Sequence, residues 1–346
     1  MSDILKAHLK ALTEVGGIDR ASMEACFDEI LEGNATPTQM SAFLTALKIN
    51  GETPQDIAAG ATVLRRRAVR ISADDETIDV VGTGGDGIGT WNISSATAFV
   101  LAGAGIKVAK HGNRAVSSKS GAADVLLSLG INLDADMSLV QQALDTAHIC
   151  FLMAPRHHSA MRHVGPIRAE LGYRTIFNML GPLSNPAMVK RIMVGVFDKK
   201  WLTPFAQALS DLGTSHALVV HGRDGLDEVT TTGETDAVLL RDGTITEMVI
   251  SPRDIGLPIA DPKDLIGGNP DENAAALSAL LDGAQNAYRD IVVLNAAAAM
   301  MGTGHAEHLQ EGADKAIAAI DQGHARAALN KLIDVTNTPL TPTESN

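Results

Sequence analysis

The chain has 346 residues, 45% of them hydrophobic and 20% charged, with 32 glycines and only 3% aromatics. That is the composition of a soluble α/β protein with a core of Ala, Val, Leu, Ile and Met, and the length exceeds the roughly 250 to 300 residues that one core serves, so two domains are expected. A formal net charge of -13 excludes a protein that coats nucleic acid, because a duplex binder needs a basic face to displace counterions.

The first residues, MSDILKAHLKALTE, alternate charges with apolar side chains and hold no apolar signal core, and no later stretch offers 18 uncharged apolar residues. A cytoplasmic protein without membrane association is expected. Residues 1 to about 70 read as helices, broken at Gly16-Gly17 and Gly33-Asn34. Two starts are marked by Thr36-Pro37-Thr38-Gln39 and Thr53-Pro54-Gln55-Asp56, each with Thr at the N-cap, Pro at the first helical position and an amide or acid three residues after the cap. Arg65-Arg66-Arg67 lies near a helix end, where cations suit the dipole, and reads as a solvated face.

At Thr77 the period changes. TIDVV is a short apolar strand, a glycine loop follows, residues 93–102 form a helix ended by Gly103 and Gly105, and residues 106–109 are the next strand. Further strands are read at 148–153, 191–197, 216–222 and 236–240, mostly separated by helices such as 138–147 and 199–213. This alternation predicts right-handed crossovers and a mainly parallel sheet, with ligands outside the carboxyl ends of its strands. Cys26 and Cys150 lie far apart in apolar surroundings, which removes a disulfide framework or a C-x-x-C metal site and suits a reducing compartment. Beyond about residue 243, loop signals at SPRDIGLP and IGGNPDENA precede helices at 273–281 and 284–301.

Gly82-Thr83-Gly84-Gly85-Asp86-Gly87 satisfies the dinucleotide pattern G-x-G-x-x-G, yet the rest of that site is missing. A dinucleotide site places a ribose-binding acid about 20 residues later, at the end of the second strand. Here Lys110-His111-Gly112-Asn113-Arg114 follows that strand as a cationic loop. Asp86 would repel a bare pyrophosphate, but not one that arrives with a divalent cation. Asn92-Ile93-Ser94-Ser95 adds hydroxyls, an amide and free N–H groups at a helix start. The pattern predicts a cradle for a metal-bound pyrophosphate.

The loop from Lys110 to Gly121 packs cations, an amide and hydroxyls between a strand end and a helix, converging on the same crevice. Asp227-Glu228 follows another strand and a Gly-rich turn, and magnesium is commonly held by one or two carboxylates plus substrate phosphate. His157, His158 and His163 give no clean ligand set, and the first two read as polar loop groups. Met153, Met161 and Met179 read as packing.

GTGGD at 82–86, NISS at 92–95, KHGNRAVSSKSGAADVL at 110–126, RHHSAMRHVGPIRAELGYRTIFNMLGPLSNPA at 156–187 and DGLDE at 224–228 resemble the anthranilate phosphoribosyltransferase family, over essentially the whole chain. The resemblance implies a helical domain over 1–72, with a contribution from about 165–190, and an α/β domain over 73–346. It implies a homodimer, with phosphoribosyl pyrophosphate (PRPP), anthranilate and Mg2+ as ligands. PRPP contacts are implied for Gly82, Gly85, Asp86, Thr90, Asn92, Ile93, Ser94, Ser95, Lys110, His111, Gly112, Asn113, Arg114, Ala115, Val116, Ser117 and Ser118. Asn113 and Arg168, with Gly82 nearby, are implied for anthranilate, and Ser94, Asp227 and Glu228 for Mg2+. Many members carry serine where this chain has Ala122, which sets its substrate contact apart from theirs.

Displacement of pyrophosphate builds positive charge on the ribose and negative charge on the departing group, so catalysis is mainly positioning and electrostatics. Lys110 and Lys119 suit the leaving group, Arg168 suits the carboxylate of anthranilate, and His111 is a candidate for the amine proton. Two rival readings fit less well. A pyrimidine nucleoside phosphorylase would carry a different lysine and serine arrangement, and a nucleic-acid-associated paralogue would have a basic face and lack Asp227, Glu228, Asn113 or Arg168.

Overall fold

The computed structural model describes residues 1–339 apart from Asp86 and residues 115–119. Both Thr-Pro starts form capping boxes. Thr36 Oγ1 accepts from the Gln39 N–H at 3.2 Å while the Gln39 side chain accepts from the Thr36 N–H at 3.1 Å, and Thr53 with Asp56 repeats the exchange. The resulting helices are Pro37–Asn50 and Pro54–Arg67, preceded by Asp3–Glu14 and Arg20–Glu32. Gly33, at φ +80°, ends the second of these in the left-handed region.

The arginine run departs from the expected solvated face. Arg66 and Arg67 do pair at the surface, Arg67 with Asp28 at 2.7 Å, but Arg65 is buried. Its Nε donates to the Leu183 carbonyl at 2.6 Å and its Nη1 lies 3.4 Å from the Leu212 carbonyl. Those carbonyls end the helices Phe177–Leu183 and Leu202–Asp211, so Arg65 supplies donors to two helix ends that lack them. Burial pushes its pKa down to about 10.

Seven strands form one sheet: β1 Ile78–Gly82, β2 Val108–Gly112, β3 Ile149–Met153, β4 Arg191–Gly195, β5 His216–Gly222, β6 Thr235–Arg241 and β7 Thr244–Ile250. Their order is β3-β2-β1-β4-β5-β6-β7, parallel through β5 and antiparallel thereafter. The mainly parallel sheet is as expected. Strand β7 lies beyond the sequence expectation. It pairs with β6 through a tight turn at Asp242 and Gly243, both at positive φ, the geometry of a two-residue hairpin.

Alternate residues of the sheet feed two cores on opposite faces, as the pleat requires. Leu218 and Val220 join a core with the helices Ile93–Gly103, Met137–Ala147, Ala287–Gly302, Leu309–Asp321 and His324–Thr336. Ala217 and Val219 join the other core, shared with the four N-terminal helices, Gly165–Leu171, Phe177–Leu183 and Leu202–Asp211. Among the described residues no helix is long and apolar enough to cross a membrane.

The different surroundings of the arginines give a test. Arg65→Met should destabilise the protein by about 2 to 4 kcal/mol, because the buried Leu183 carbonyl and the half-buried Leu212 carbonyl lose their donor. Arg66→Met should cost about 1 kcal/mol or less, as an exposed ion pair does. Thermal midpoints compare the two, and equal losses would remove the capping role from Arg65.

Candidate active site

The strand order reverses between β1 and β4, the switch point where open α/β sheets bind ligands. There Gly82 stands opposite Gly195. Asp227, delivered by the turn after β5, occupies the space beside both. A Cβ on Gly195 would lie 1.6 Å from the Asp227 backbone oxygen, and one on Gly82 would lie 2.4 Å from its carboxylate. Asp227 also accepts from the Gly84 N–H at 2.6 Å, which fixes the glycine loop from the β5 side. Thr83 holds the same loop to the end of β4, its N–H donating to Gly195 at 2.9 Å.

Lys110 and His111 lie within β2, whereas the sequence reading puts them in the loop that follows. The strand extends because both residues pair along β3, opposite Phe151 and Leu152. Lys110 is 3% exposed, and its Nζ donates to the Val80 carbonyl at 2.7 Å and to Ser94 Oγ at 3.1 Å. One ammonium therefore bridges β1 and the head of the helix Ile93–Gly103. Burial pushes its pKa down, and the charges of Asp79, Glu228 and Asp227 oppose that shift.

Asp79 is the nearby anchor that sequence reasoning passed over. Fully enclosed, it accepts from the His111 N–H at 3.2 Å and from Asn185 Nδ2 at 2.7 Å. Burial pushes its pKa up to about 6, and Lys110 pulls in the opposite direction. An acid inside the apolar run TIDVV is the signal that marks it, and Asn185 lies within the quoted LSNPA.

His111 Nδ1 lies 3.1 Å from the Gly181 carbonyl, which can only accept, so Nδ1 carries the proton and Nε2 presents a lone pair. Burial, reinforced by His158 and His157, pushes its pKa down to about 3. Contrary to the polar-loop reading, His157 and His158 are buried. The first reaches the Val69 carbonyl at 2.6 Å, and the second packs on His111 with ring centroids 5.2 Å apart.

At the head of the helix Ile93–Gly103, Ile93 and Ser95 are buried; the Ile93 N–H donates to the Trp91 carbonyl at 2.8 Å, so what this turn can offer an anion is the backbone N–H of Ser94 and Ser95. Asn92 occupies the N-cap without a side-chain cap bond, which leaves the first-turn amides of Ser94 and Ser95 open. Thr90 pairs in an isolated bridge with Ile266, and Gly267 donates to Gly89 at 3.0 Å. The segment read as the loop IGGNPDENA is thus the strap behind the second half of the glycine loop.

Gly112 ends β2 against the Phe151 ring, where a Cβ would approach to 2.7 Å and would lie 3.8 Å from the Ala122 Cβ. Asn113 and Arg114 follow, both exposed, the Asn113 side chain accepting from the Arg114 N–H at 2.8 Å. Asp86 and Ala115, Val116, Ser117, Ser118 and Lys119 lie outside the described residues.

Arg168, on the helix Gly165–Leu171, is half-buried and sits 5.9 Å from the centroid of the Phe177 ring. Among the described residues no carboxylate pairs with its guanidinium, and burial pushes its pKa down. Arg174, missed from sequence, stacks on Phe197 at 3.9 Å and donates to the Gly85 carbonyl, joining the segment after Arg168 to the glycine loop.

Asp227, Glu228 and Ser94 offer hard oxygens, the donor type that suits Mg2+. No cluster of three or more His, Cys, Asp or Glu side chains fit to hold a metal occurs among the described residues.

Residues 6–68 match the glycosyl transferase family, helical bundle domain, and residues 74–326 match the glycosyl transferase family, a/b domain. The anthranilate phosphoribosyltransferase of Parvibaculum lavamentivorans is 53% identical over 332 residues, 96% of this chain and 97% of the relative. The crystal structure of the anthranilate phosphoribosyltransferase of Thermus thermophilus superposes with a TM-score of 0.91 at 38% identity, covering 97% of this chain and all of that one. That of Saccharomyces cerevisiae, in complex with PRPP and Mg, gives 0.89 at 29% identity over 97% and 98%. With its helical and α/β parts both matched and nearly all of its length shared with such relatives, this chain belongs to the anthranilate phosphoribosyltransferase family.

Proposed function

We propose that the protein transfers the phosphoribosyl group of PRPP to the amine of anthranilate, giving N-(5-phosphoribosyl)anthranilate and pyrophosphate in tryptophan biosynthesis. The observation that carries this reading is the buried Lys110 ammonium, pinned between β1 and Ser94 beside an uncapped helix head. Such a cation, with open N–H groups beside it, suits a pyrophosphate that gains charge as it leaves.

In the reaction the bond from the ribose anomeric carbon to the pyrophosphate oxygen breaks, a bond from the amine nitrogen to that carbon forms, and the amine proton passes to the departing pyrophosphate or to water. Lys110 and the first-turn amides stabilise the oxygen that departs. The glycine loop, held down by Asp227 and Thr83, brings its backbone against the phosphates. Asp79, Asp227 and Glu228 all act on the one ammonium. A bare pyrophosphate would be repelled by these acids, and bound Mg2+ supplies the missing positive charge. Asp227, Glu228 and Ser94 are the residues that would hold it.

His111 is a poor proton store, because its pKa lies near 3. Its Nε2 is enclosed beside the His158 ring, so the imidazole acts through the Gly181 carbonyl and the ring it packs on, without touching the amine. Arg168 offers a planar guanidinium to the carboxylate of anthranilate, with Asn113 beside the same acceptor. Residues 1–72 together with about 165–190 are read as the helical domain, a division supported by the shared packing of Ile167, Phe177 and Leu180 with the N-terminal helices. Exposed Ile4, Val15 and Ile49 on that domain suit the face of a homodimer. A biosynthetic role in the cytoplasm completes the reading.

Anthranilate fluorescence tests it. Signal should disappear only when protein, PRPP and Mg2+ are all present, with pyrophosphate released in equal amount. Thermal stabilisation by PRPP without loss of anthranilate would retain the cradle and overturn the acceptor. Arg168→Ala should raise KM for anthranilate on the order of tenfold to a hundredfold, since a charge-assisted pair is lost, with a far smaller change for PRPP. Equal effects on both would remove the role given to Arg168.

A further inference from the structure

Asn92 carries a constraint from the far C-terminal half of the chain. Asn273, on the helix Pro270–Leu281, is 1% exposed and donates through Nδ2 to Asn92 Oδ1 at 2.7 Å. Its own Oδ1 accepts from the Gly268 N–H at 2.7 Å. A backbone N–H can only donate, so the Asn273 amide has one allowed orientation. That orientation in turn fixes the amide of Asn92, whose Oδ1 must face the donor.

The two bonds have a joint effect at the head of the helix Ile93–Gly103. Asparagine at an N-cap ordinarily turns its side-chain oxygen back onto the first-turn amides. Here that oxygen is engaged by Asn273, with Ser120 Oγ 3.5 Å away, and the cap bond is absent. Tyr288, 3% exposed, fixes the backbone of the same residue by donating to the Asn92 carbonyl at 3.2 Å. Any further hydrogen bond from the Asn92 side chain must therefore come from its Nδ2, as a donor.

We propose that Asn273 is a positioning residue for PRPP: through the Gly268–Asn273–Asn92 relay it keeps Asn92 Nδ2 available as a donor to the substrate and keeps the first-turn amides uncapped. This rests on the reading of Asn92 as a PRPP contact. Two donor functions of the cradle, a side-chain amide and open backbone N–H groups, are then set by one buried residue that does not touch the substrate. The segment IGGNPDENA supplies both the N–H that orients the relay and the side chain that transmits it.

Asn273→Asp tests the proposal because it preserves size and still accepts from Gly268 but cannot donate. The Asn92 amide must then turn Nδ2 toward the new carboxylate and present an oxygen to the phosphates. KM for PRPP should rise on the order of tenfold to a hundredfold, the range for a hydrogen bond to a charged group. At saturating PRPP, kcat and KM for anthranilate should stay within about twofold, because the lost interaction is one of substrate binding. Asn273→Ala removes the constraint without imposing the reverse orientation, so it should raise the same KM less, although it deletes more packing. If Asn273→Asp does not fold, the alanine variant decides alone through its KM for PRPP.

Asn92→Ala separates this proposal from the reading beneath it. If Asn92→Ala raises KM for PRPP while both position-273 variants leave it within about twofold, the relay is overturned and the cradle stands. If Asn92→Ala itself leaves that KM unchanged, the role of Asn92 fails and the relay fails with it. Losses in apparent kcat alone, with every KM intact, would make Asn273 a purely structural residue.

Discussion

The Lys110 ammonium is buried at the carboxyl end of a parallel sheet, and much of the surrounding structure makes that burial tolerable. Removing such an ion from water costs several kcal/mol even after relaxation, so the group must be hydrogen-bonded and opposed by negative charge. The Val80 carbonyl and Ser94 take two of its three hydrogens, and Asp79 supplies a carboxylate that burial alone would leave protonated. Asp79 in turn depends on Asn185, which also donates to the Ala109 carbonyl at 2.7 Å and thereby ties the acid to β2. The folded carboxyl binds its proton more tightly than the unfolded chain does, so its ionisation opposes folding. Its contribution to stability is fully present below about pH 3.8 and is lost as pH rises through about 6. Stability is given up at working pH to keep a charged pair at the carboxyl end of the sheet.

The glycines follow from the same demand for space. Gly82 and Gly195 satisfy no requirement for an unusual φ, since neither is in the left-handed region. They are glycine because Asp227 lies where their side chains would be. The G-x-G-x-x-G spelling of residues 82–87 is therefore a consequence of packing a carboxylate across two strand ends, combined with turn glycines at 84, 85 and 87 that do have positive φ. The spelling coincides with that of a dinucleotide site, while the ribose-binding acid such a site requires is missing. Loop, lysine and acids form one electrostatic unit, and the helical layer completes it through Arg174.

Local signals were legible in the sequence, and long-range ones were not. The two Thr-Pro capping boxes, the strand at 216–222 and the alternation of strand and helix each depend on residues within one or two turns. Arg65 could not be told from its neighbours, because what buries it is a pair of helix ends more than a hundred residues away. Lys110 and His111 look like loop residues by polarity and become strand residues only through pairing with β3. Strand β7 had a local signal, Asp242-Gly243 between two runs of β-formers, and its mixed polarity on an exposed edge hid it. Asn273 sits in a stretch rich in turn residues, and nothing near it in sequence points to Asn92. The glycine loop, the Lys110 segment and the Asp227-Glu228 turn stand out as candidates from their own chemistry and Arg168 from resemblance, while the residues that pack around them required the fold.

The most direct test of the account is the single-turnover rate of Asp79→Asn at saturating PRPP, Mg2+ and anthranilate. The variant preserves shape and removes the charge that holds Lys110 as an ammonium. The account predicts a rate lower on the order of a hundredfold, the scale for losing one electrostatic contributor at a leaving group, and loss of any acid limb near pH 6 in the profile. A folded variant that turns over within about twofold of the wild-type rate and retains that acid limb would show that the buried pair does not drive departure of pyrophosphate.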